Sequence, residues 1–131
     1  MASIRREISL TAPAERVWDA IRDFGAVHER VAPGFVVACA LDGDARVLTF
    51  GNGSVVREVL VDLDDEARRL AYAIQNERVR HYNASLQVFR DGESGSRVVW
   101  IIDVLPNELE EYVARQADVG LRAMQTTLER A

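Results

Sequence analysis

Glu58 is the residue of this sequence best suited to acid–base chemistry. In the predicted strand 55–63 it shares one face with Val56 and Leu60, but the other face is also partly apolar, so period-2 alternation does not orient it. If Glu58 points inward, burial among aromatic residues raises its pKa, and it needs a partner such as a tyrosine hydroxyl or ordered water. It then binds a ligand or acts as a general base. The alternative is an exposed or cross-strand-paired glutamate beside Arg57.

Two tyrosines and a tryptophan lie on alternating apolar faces of later strands. Tyr72 shares its face with Ile74, and Tyr82 and Trp100 occupy the equivalent faces of the next two strands. A phenolic hydroxyl on an apolar ring orients a ligand carbonyl in an apolar pocket. We therefore predict that these four residues line a ligand cavity. The alternative is that the aromatic side chains simply fill the core.

The last helical segment contributes a further candidate face. Tyr112, Gln116, Gly120 and Met124 recur at four-residue spacing and are predicted to face the sheet. Glycine inside a helix costs about 1 kcal/mol relative to alanine, which suggests a spatial reason for Gly120. It leaves room for a ligand or for a close strand, and core packing is the equal alternative.

Several other chemistries have no support in the sequence. The single cysteine, Cys39, lies in an apolar segment and indicates a small buried hydrophobe. All 16 basic residues are arginine, so there is no lysine for Schiff-base chemistry. His28 and His81 belong to no cluster with metal-ligand spacing, and segment 51–54 lacks the helix and lysine of a phosphate-binding loop. We expect no metal and no cofactor.

Length and charge limit the classes of partner. The 131 residues suit one domain spanning 1–131, without a composition break. A formal charge of −5 opposes binding to nucleic acid or to an anionic membrane surface. The longest apolar runs are too short for membrane insertion, and no signal peptide is recognised, so the cytoplasm is the expected compartment.

The order of periodicities predicts an α+β fold. A first strand at 4–10 is followed by two short helical segments and then by six strands at 35–41, 46–50, 55–63, 69–75, 80–90 and 97–104. Helical periodicity begins after Pro106 and continues to the C-terminus. The order β-α-α-β6-α predicts a seven-stranded curved antiparallel sheet around a long C-terminal helix. One helix is too narrow to cover the apolar face, so we expect a pocket.

The sequence resembles the START/Bet v 1-like (SRPBCC) superfamily, in its polyketide cyclase/dehydrase-like branch. The residues that carry the resemblance lie in segments 12–18, 58–66, 70–74, 79–82, 99–100 and 120–124, and the resemblance extends over nearly the whole chain. Individually these motifs are loose, and it is their order that is specific. The resemblance implies the helix-grip fold with a central cavity.

The chain is also similar to the plant abscisic acid receptors, between Glu58 and Tyr82. This resemblance implies that Glu58, Tyr72 and Tyr82 contact a ligand. Val37 falls where those receptors present a lysine to the hormone carboxylate, which implies that Val37 is also a ligand-binding position. Segment 48–53 lacks their gate-loop pattern. Recognition of abscisic acid by the same contacts is therefore not expected.

Three functional hypotheses remain open from the sequence. The leading one is the binding of a small, largely hydrophobic molecule in the cavity. An alternative is a polyketide cyclase or aromatase that catalyses aldol ring closure or dehydration, with Glu58 as base, a tyrosine stabilising the enolate, and Arg78 and Arg80 at the pocket mouth. Another is a non-catalytic subunit that forms a homodimer through Val59 and Val61.

Overall fold

The computed structural model describes residues 2–130, which form seven strands and three α-helices. The strands are β1 (Ala2–Leu10), β2 (Val36–Asp42), β3 (Ala45–Phe50), β4 (Val55–Asp64), β5 (Arg69–Ile74), β6 (His81–Asp91) and β7 (Gly95–Leu105). The helices are α1 (Ala14–Arg22), α2 (Val27–Arg30) and α3 (Glu110–Leu128), with short 3-10 turns at Phe24–Ala26 and Asn107–Leu109. The predicted α+β class and the order β-α-α-β6-α are confirmed.

All seven strands belong to one antiparallel sheet. Their spatial order is β1-β7-β6-β5-β4-β3-β2. Strands β2 to β7 therefore form a meander, and the last of them, β7, also pairs with β1. Strands β1 and β2 are the two edges. Short turns of the predicted kind join the meander. In the β3–β4 turn, Asn52 Oδ1 accepts hydrogen bonds from the amide and hydroxyl of Ser54, and Gly53 has a φ of +90°.

The predicted alternation places one face of the sheet in the core. Leu70 and Tyr72 of β5 are buried, as are Leu86 of β6 and Trp100 and Ile102 of β7. The two helices after β1 close one end of this core, with Val17, Trp18 and Ile21 of α1 buried. The inner face of β3–β7 is therefore the apolar surface that has to be covered.

Helix α3 packs on this side of the sheet and contacts β1. Its buried residues recur at three- and four-residue steps: Val113, Ala117, Gly120, Met124 and Leu128. Hydrogen bonds of Asp118 and Glu129 connect this part of the chain to β1 and to the segment after β1. Arg6 Nε donates to Asp118 Oδ1 at 2.6 Å, and Glu129 Oε1 accepts from the Thr11 and Ala12 amides at 2.6 and 3.0 Å. None of the helices in residues 2–130 is long and apolar enough to cross a membrane.

Candidate functional site

A cavity of about 590 Å³ lies between α3 and the inner face of the sheet. Its lining is mainly aliphatic and aromatic, and its volume is within the range of small-molecule sites in proteins. Polar lining groups come from four strands. They are Arg46 of β3, Glu58 of β4, Tyr72 of β5 and Tyr82 of β6, together with Gln116 of α3 and the segment 76–78.

A buried ion pair joins β3 to β4 inside this cavity. Arg46 and Glu58 lie directly opposite each other in the ladder, and only 3% and 4% of their surfaces are exposed. Both Arg46 Nε and Arg46 Nη2 lie 2.8 Å from Glu58 Oε1. Glu58 therefore points inward, and it is neither exposed nor paired with Arg57. Its partner is an arginine, where we expected a tyrosine hydroxyl or water.

The rest of the Arg46 guanidinium is also held by the protein. Arg46 Nη1 donates to the Phe24 carbonyl at 3.1 Å, and Cζ lies 4.2 Å from the centroid of the Phe24 ring and 5.3 Å from that of Tyr72. Burial raises the pKa of Glu58, and the charge and hydrogen bond of Arg46 oppose that rise. Because arginine does not lose its proton, an ionised Glu58 is the state that leaves this buried pair without net charge.

Next to the ion pair, Tyr72 is linked to the seventh strand. Trp100 Nε1 donates to the Tyr72 hydroxyl at 3.2 Å, and both side chains are buried. Burial raises the pKa of Tyr72, and the nearby Glu58 carboxylate adds to the rise. The Tyr72 hydroxyl therefore keeps its proton and can donate it to a further acceptor.

Tyr82 brings a second phenolic hydroxyl to the same region. Burial raises its pKa well above the ordinary value, and Tyr72 and Glu58 raise it further. Among residues 2–130, its hydroxyl has no hydrogen-bond partner, and the side chain lines the cavity. One carboxylate and two protonated phenols thus lie in one apolar space, an arrangement that can orient a ligand or transfer protons.

The exposed lining residues mark the solvent end of the cavity. They belong to the start of β4, the β5–β6 loop and the first turn of α3, and include Val55, Glu77, Arg78 and Tyr112. The β5–β6 loop is shaped by Asn76, whose Oδ1 accepts from the amides two and three residues later. Glu77 and Arg78 carry opposite charges, so these two residues add no net charge to the solvent end of the cavity.

Most of the predicted site residues meet at this cavity. The sequence-predicted positions found in its lining are Glu58, Tyr72, Ile74, Tyr82, Trp100, Tyr112 and Gln116. Their contact with a ligand remains a prediction. Tyr112 lies at the solvent end of this lining and is 47% exposed in the first turn of α3, where the buried residue is its neighbour Val113.

Val37 and Gly120 are absent from the lining. Val37 is 54% exposed because the β2–β3 register shifts between Val36 and Ala38, which places it outside the regular alternation. Gly120 is buried, but its space is taken by the ring of Phe35. Of the alternatives given for Gly120, close packing is the one that this contact supports. The group that packs against the glycine is the ring of Phe35, in the loop before β2.

Arg46 is the central residue that the sequence analysis missed. Its signal was nonetheless present, because Arg46, Leu48 and Phe50 alternate on one face of β3. In the ladder Arg46 lies opposite Glu58, because Thr49 pairs with Val55 across the turn. A charged residue on an apolar face opposite a carboxylate indicates a buried pair.

The cysteine and the two histidines are not among the residues that line the cavity. Cys39 is half-buried with Sγ 3.9 Å from the Phe24 carbonyl oxygen, and burial raises the pKa of its thiol. Within residues 2–130, no group of three or more histidine, cysteine or acidic side chains could hold a metal ion.

The sequence matches one protein family over nearly its full length. The family described as polyketide cyclase/dehydrase and lipid transport matches residues 1–129. Among curated proteins, none matches this sequence.

Solved structures support the same fold. A Thermobifida fusca protein is 31% identical, with 99% of this chain and 95% of that chain covered and a TM-score of 0.80. A START superfamily protein from Mycobacterium smegmatis (16% identity, 98% and 94% covered, TM-score 0.72) shares the fold. The Zhui aromatase/cyclase of a Streptomyces species (19% identity, 98% and 94% covered, TM-score 0.78) shares it as well. The helix-grip architecture expected from the sequence is therefore established.

Proposed function

The chain belongs to the polyketide cyclase/dehydrase and lipid transport family, and from this premise we propose that it binds a small, largely hydrophobic molecule. The observation that carries the proposal is the cavity itself, with an apolar wall interrupted by a few convergent polar groups. Apolar burial, at about 25 cal/mol per Å², supplies most of the binding free energy, and the polar groups fix the orientation.

Binding can be tested with a neutral fluorescent probe, N-phenyl-1-naphthylamine, followed by its emission increase on transfer to an apolar site. We expect saturable binding to the wild-type chain. Val56→Trp, on the cavity side of β4, should weaken it more than about tenfold by filling the space. Val59 is half-buried on the other face of the same strand, so Val59→Trp is the matched control and should retain binding. Absence of saturable binding, or equal binding by both variants, contradicts the proposal.

A second candidate function is an aldol cyclisation or dehydration. It is favoured by one specific observation: Glu58 Oε2 has no hydrogen bond within residues 2–130, and two protonated phenols line the same cavity. In this reaction Glu58 removes a proton from the carbon between two carbonyls. The resulting enolate carbon attacks a distant carbonyl, while Tyr72 or Tyr82 donates a hydrogen bond to the oxygen that gains charge.

The enzymatic candidate is tested with a poly-β-ketone thioester as substrate. Glu58→Gln should abolish formation of the cyclised product if Glu58 is the base, whereas Glu66→Gln, the same substitution at an exposed turn position outside the cavity lining, should retain turnover. Arg78→Ala and Arg80→Ala report whether an anionic carrier docks at the cavity mouth, by raising KM with little change in kcat. Absence of turnover by the wild-type chain leaves binding as the function.

Formation of a homodimer through Val59 and Val61 remains a separate prediction. Val61 is 56% exposed at a register shift in β4, and Val59 is half-buried. Light scattering of the wild-type chain and of Val61→Glu measures it directly. A dimeric mass that falls to the monomeric mass in the variant supports a homodimer through β4, and a monomeric wild-type chain contradicts it.

A further inference from the structure

The polar groups that line the cavity differ in how far the protein already satisfies them. Two of the three guanidinium nitrogens of Arg46 donate hydrogen bonds, Nε to Glu58 Oε1 at 2.8 Å and Nη1 to the Phe24 carbonyl at 3.1 Å. The third nitrogen, Nη2, lies 2.8 Å from Glu58 Oε1 as part of the ion pair. The Phe24 ring also covers one face of the guanidinium. The positive charge inside the cavity is therefore compensated before any ligand enters.

Three other polar atoms are still available. Glu58 Oε2 accepts no hydrogen bond from residues 2–130, because both Arg46 contacts go to Oε1. Tyr72 accepts from Trp100 and keeps its own proton for donation, and Tyr82 has no partner in the described part of the chain. The site thus offers one acceptor and two donors around a pair with no net charge.

We infer that the ligand carries an uncharged polar group that both donates and accepts hydrogen bonds, such as an alcohol, an enol or a primary amide. This inference rests on the proposed binding function and specifies the class of ligand. The donor of that group would reach Glu58 Oε2, and its acceptor would receive the Tyr72 or Tyr82 hydroxyl.

Charged ligand groups are disfavoured for opposite reasons. A carboxylate would stand beside Glu58 and compete with it for a guanidinium whose charge Glu58 already balances. An ammonium would stand beside Arg46. Either ion would leave one uncompensated charge in an environment of low dielectric, which costs far more than burying a hydrogen-bonded neutral group.

The experiment compares three probes that share one alkyl chain: 1-decanol, decanoate and decylammonium. Each competes with N-phenyl-1-naphthylamine at about pH 8, where the acid and the amine are ionised. We expect the affinity of the wild-type chain for 1-decanol, corrected for the aqueous solubility of each compound, to be at least about tenfold higher than its affinity for either ion. Decanoate or decylammonium binding as tightly as 1-decanol overturns the inference.

Two variants separate this polar recognition from a general preference for apolar molecules. Glu58→Gln leaves the Arg46 charge uncompensated, so decanoate should gain at least about tenfold in affinity. Arg46→Met leaves the Glu58 charge instead, so decylammonium should gain by a similar factor while decanoate does not. Failure of both folded variants to show these opposite gains overturns the inference. If circular dichroism shows that neither folds, the wild-type series decides.

The two proposals fail in different ways. If neither the fluorescent probe nor any of the three alkyl compounds binds, the proposed function itself is wrong. If the fluorescent probe binds and an ionic compound equals or exceeds 1-decanol, the cavity is a binding site for a charged ligand, and only the present inference is wrong.

Discussion

The ring of Phe35 packs directly against Gly120 of α3. A Cβ atom on Gly120 would lie 2.8 Å from Phe35 Cε2, closer than real side chains approach. The Phe35 ring also packs edge-on against Phe50, with 5.1 Å between ring centroids. Both phenylalanines line the cavity, so this packing fixes part of its wall.

Gly120→Ala should displace the Phe35 ring and change ligand binding more than stability. Alanine in a helix gains about 1 kcal/mol over glycine, which offsets much of the cost of moving a side chain. We therefore expect a change of less than about 1 kcal/mol in the free energy of unfolding, with weaker binding of N-phenyl-1-naphthylamine. Val119→Ala, at an exposed position of the same helix, should leave binding unchanged. Unaltered binding in Gly120→Ala contradicts the role given to Phe35.

Tyr72→Phe and Tyr82→Phe remove the same atom from two different settings. In the first, Trp100 Nε1 loses its acceptor and is left buried without a partner, which costs about 1–3 kcal/mol. In the second, no hydrogen bond within residues 2–130 is lost, so the cost should stay below about 0.5 kcal/mol. Urea unfolding measures both. Equal costs for the two substitutions would show that the tryptophan contact does not stabilise the fold.

Arg46→Met should destabilise the protein by about 3 kcal/mol or more, because the buried Glu58 carboxylate loses its only cationic partner within the described chain. The double variant Arg46→Met with Glu58→Leu removes both charges and should recover a large part of that loss. Chemical denaturation of the single and double variants provides the comparison. A double variant no more stable than Arg46→Met would mean that burial of the charges is not the cause.

The contribution of Asp65 should depend on pH with a defined sign. Its carboxylate accepts hydrogen bonds from Arg22 Nε at 2.8 Å and Trp18 Nε1 at 2.9 Å, and these contacts lower the pKa of Asp65 below 3.8. Stability from a lowered pKa is present above the unfolded value and is lost as pH falls through the folded one. Asp65→Asn should therefore lower the urea midpoint at pH 7 and approach the wild-type midpoint in acid.

The control for this prediction is Asp62→Asn. Asp62 is exposed and has no side-chain hydrogen bond within residues 2–130, so its substitution should leave the midpoint nearly unchanged at every pH. A deficit of Asp65→Asn that stays constant down to pH 3 would show that the charge of Asp65 is not what stabilises the Trp18 contact.

The strands and their inward-facing residues could be predicted from the sequence because apolar and polar residues alternate regularly where one face of a strand is buried. Tyr72, Tyr82 and Trp100 all follow the alternation and reach the inner side. The order of strands follows from short turns, which leave neighbouring strands little choice but to pair with each other.

The orientation of Glu58 could not be obtained in this way, because both faces of its strand mix polar and apolar residues. It is decided by the partner strand, which presents Arg46 directly opposite. Val37 was misplaced for a different reason. A register shift adds a residue without changing the composition of the strand, and period-2 reasoning has no means of detecting it.

The pairing of β1 with β7 has a consequence for the order in which the protein can fold. Ala2 lies opposite Val104, so the first strand to leave the ribosome cannot pair until nearly all of the sheet has been synthesised. Contacts of such large sequence separation are typical of slow folding, since a long loop must close before they form. The hairpins of β2–β7 can form earlier, whereas β1 and α3, which pack together, join last. Until β1 pairs, the backbone edge of β7 is therefore exposed to solvent, and we expect this stage to be the one most prone to aggregation.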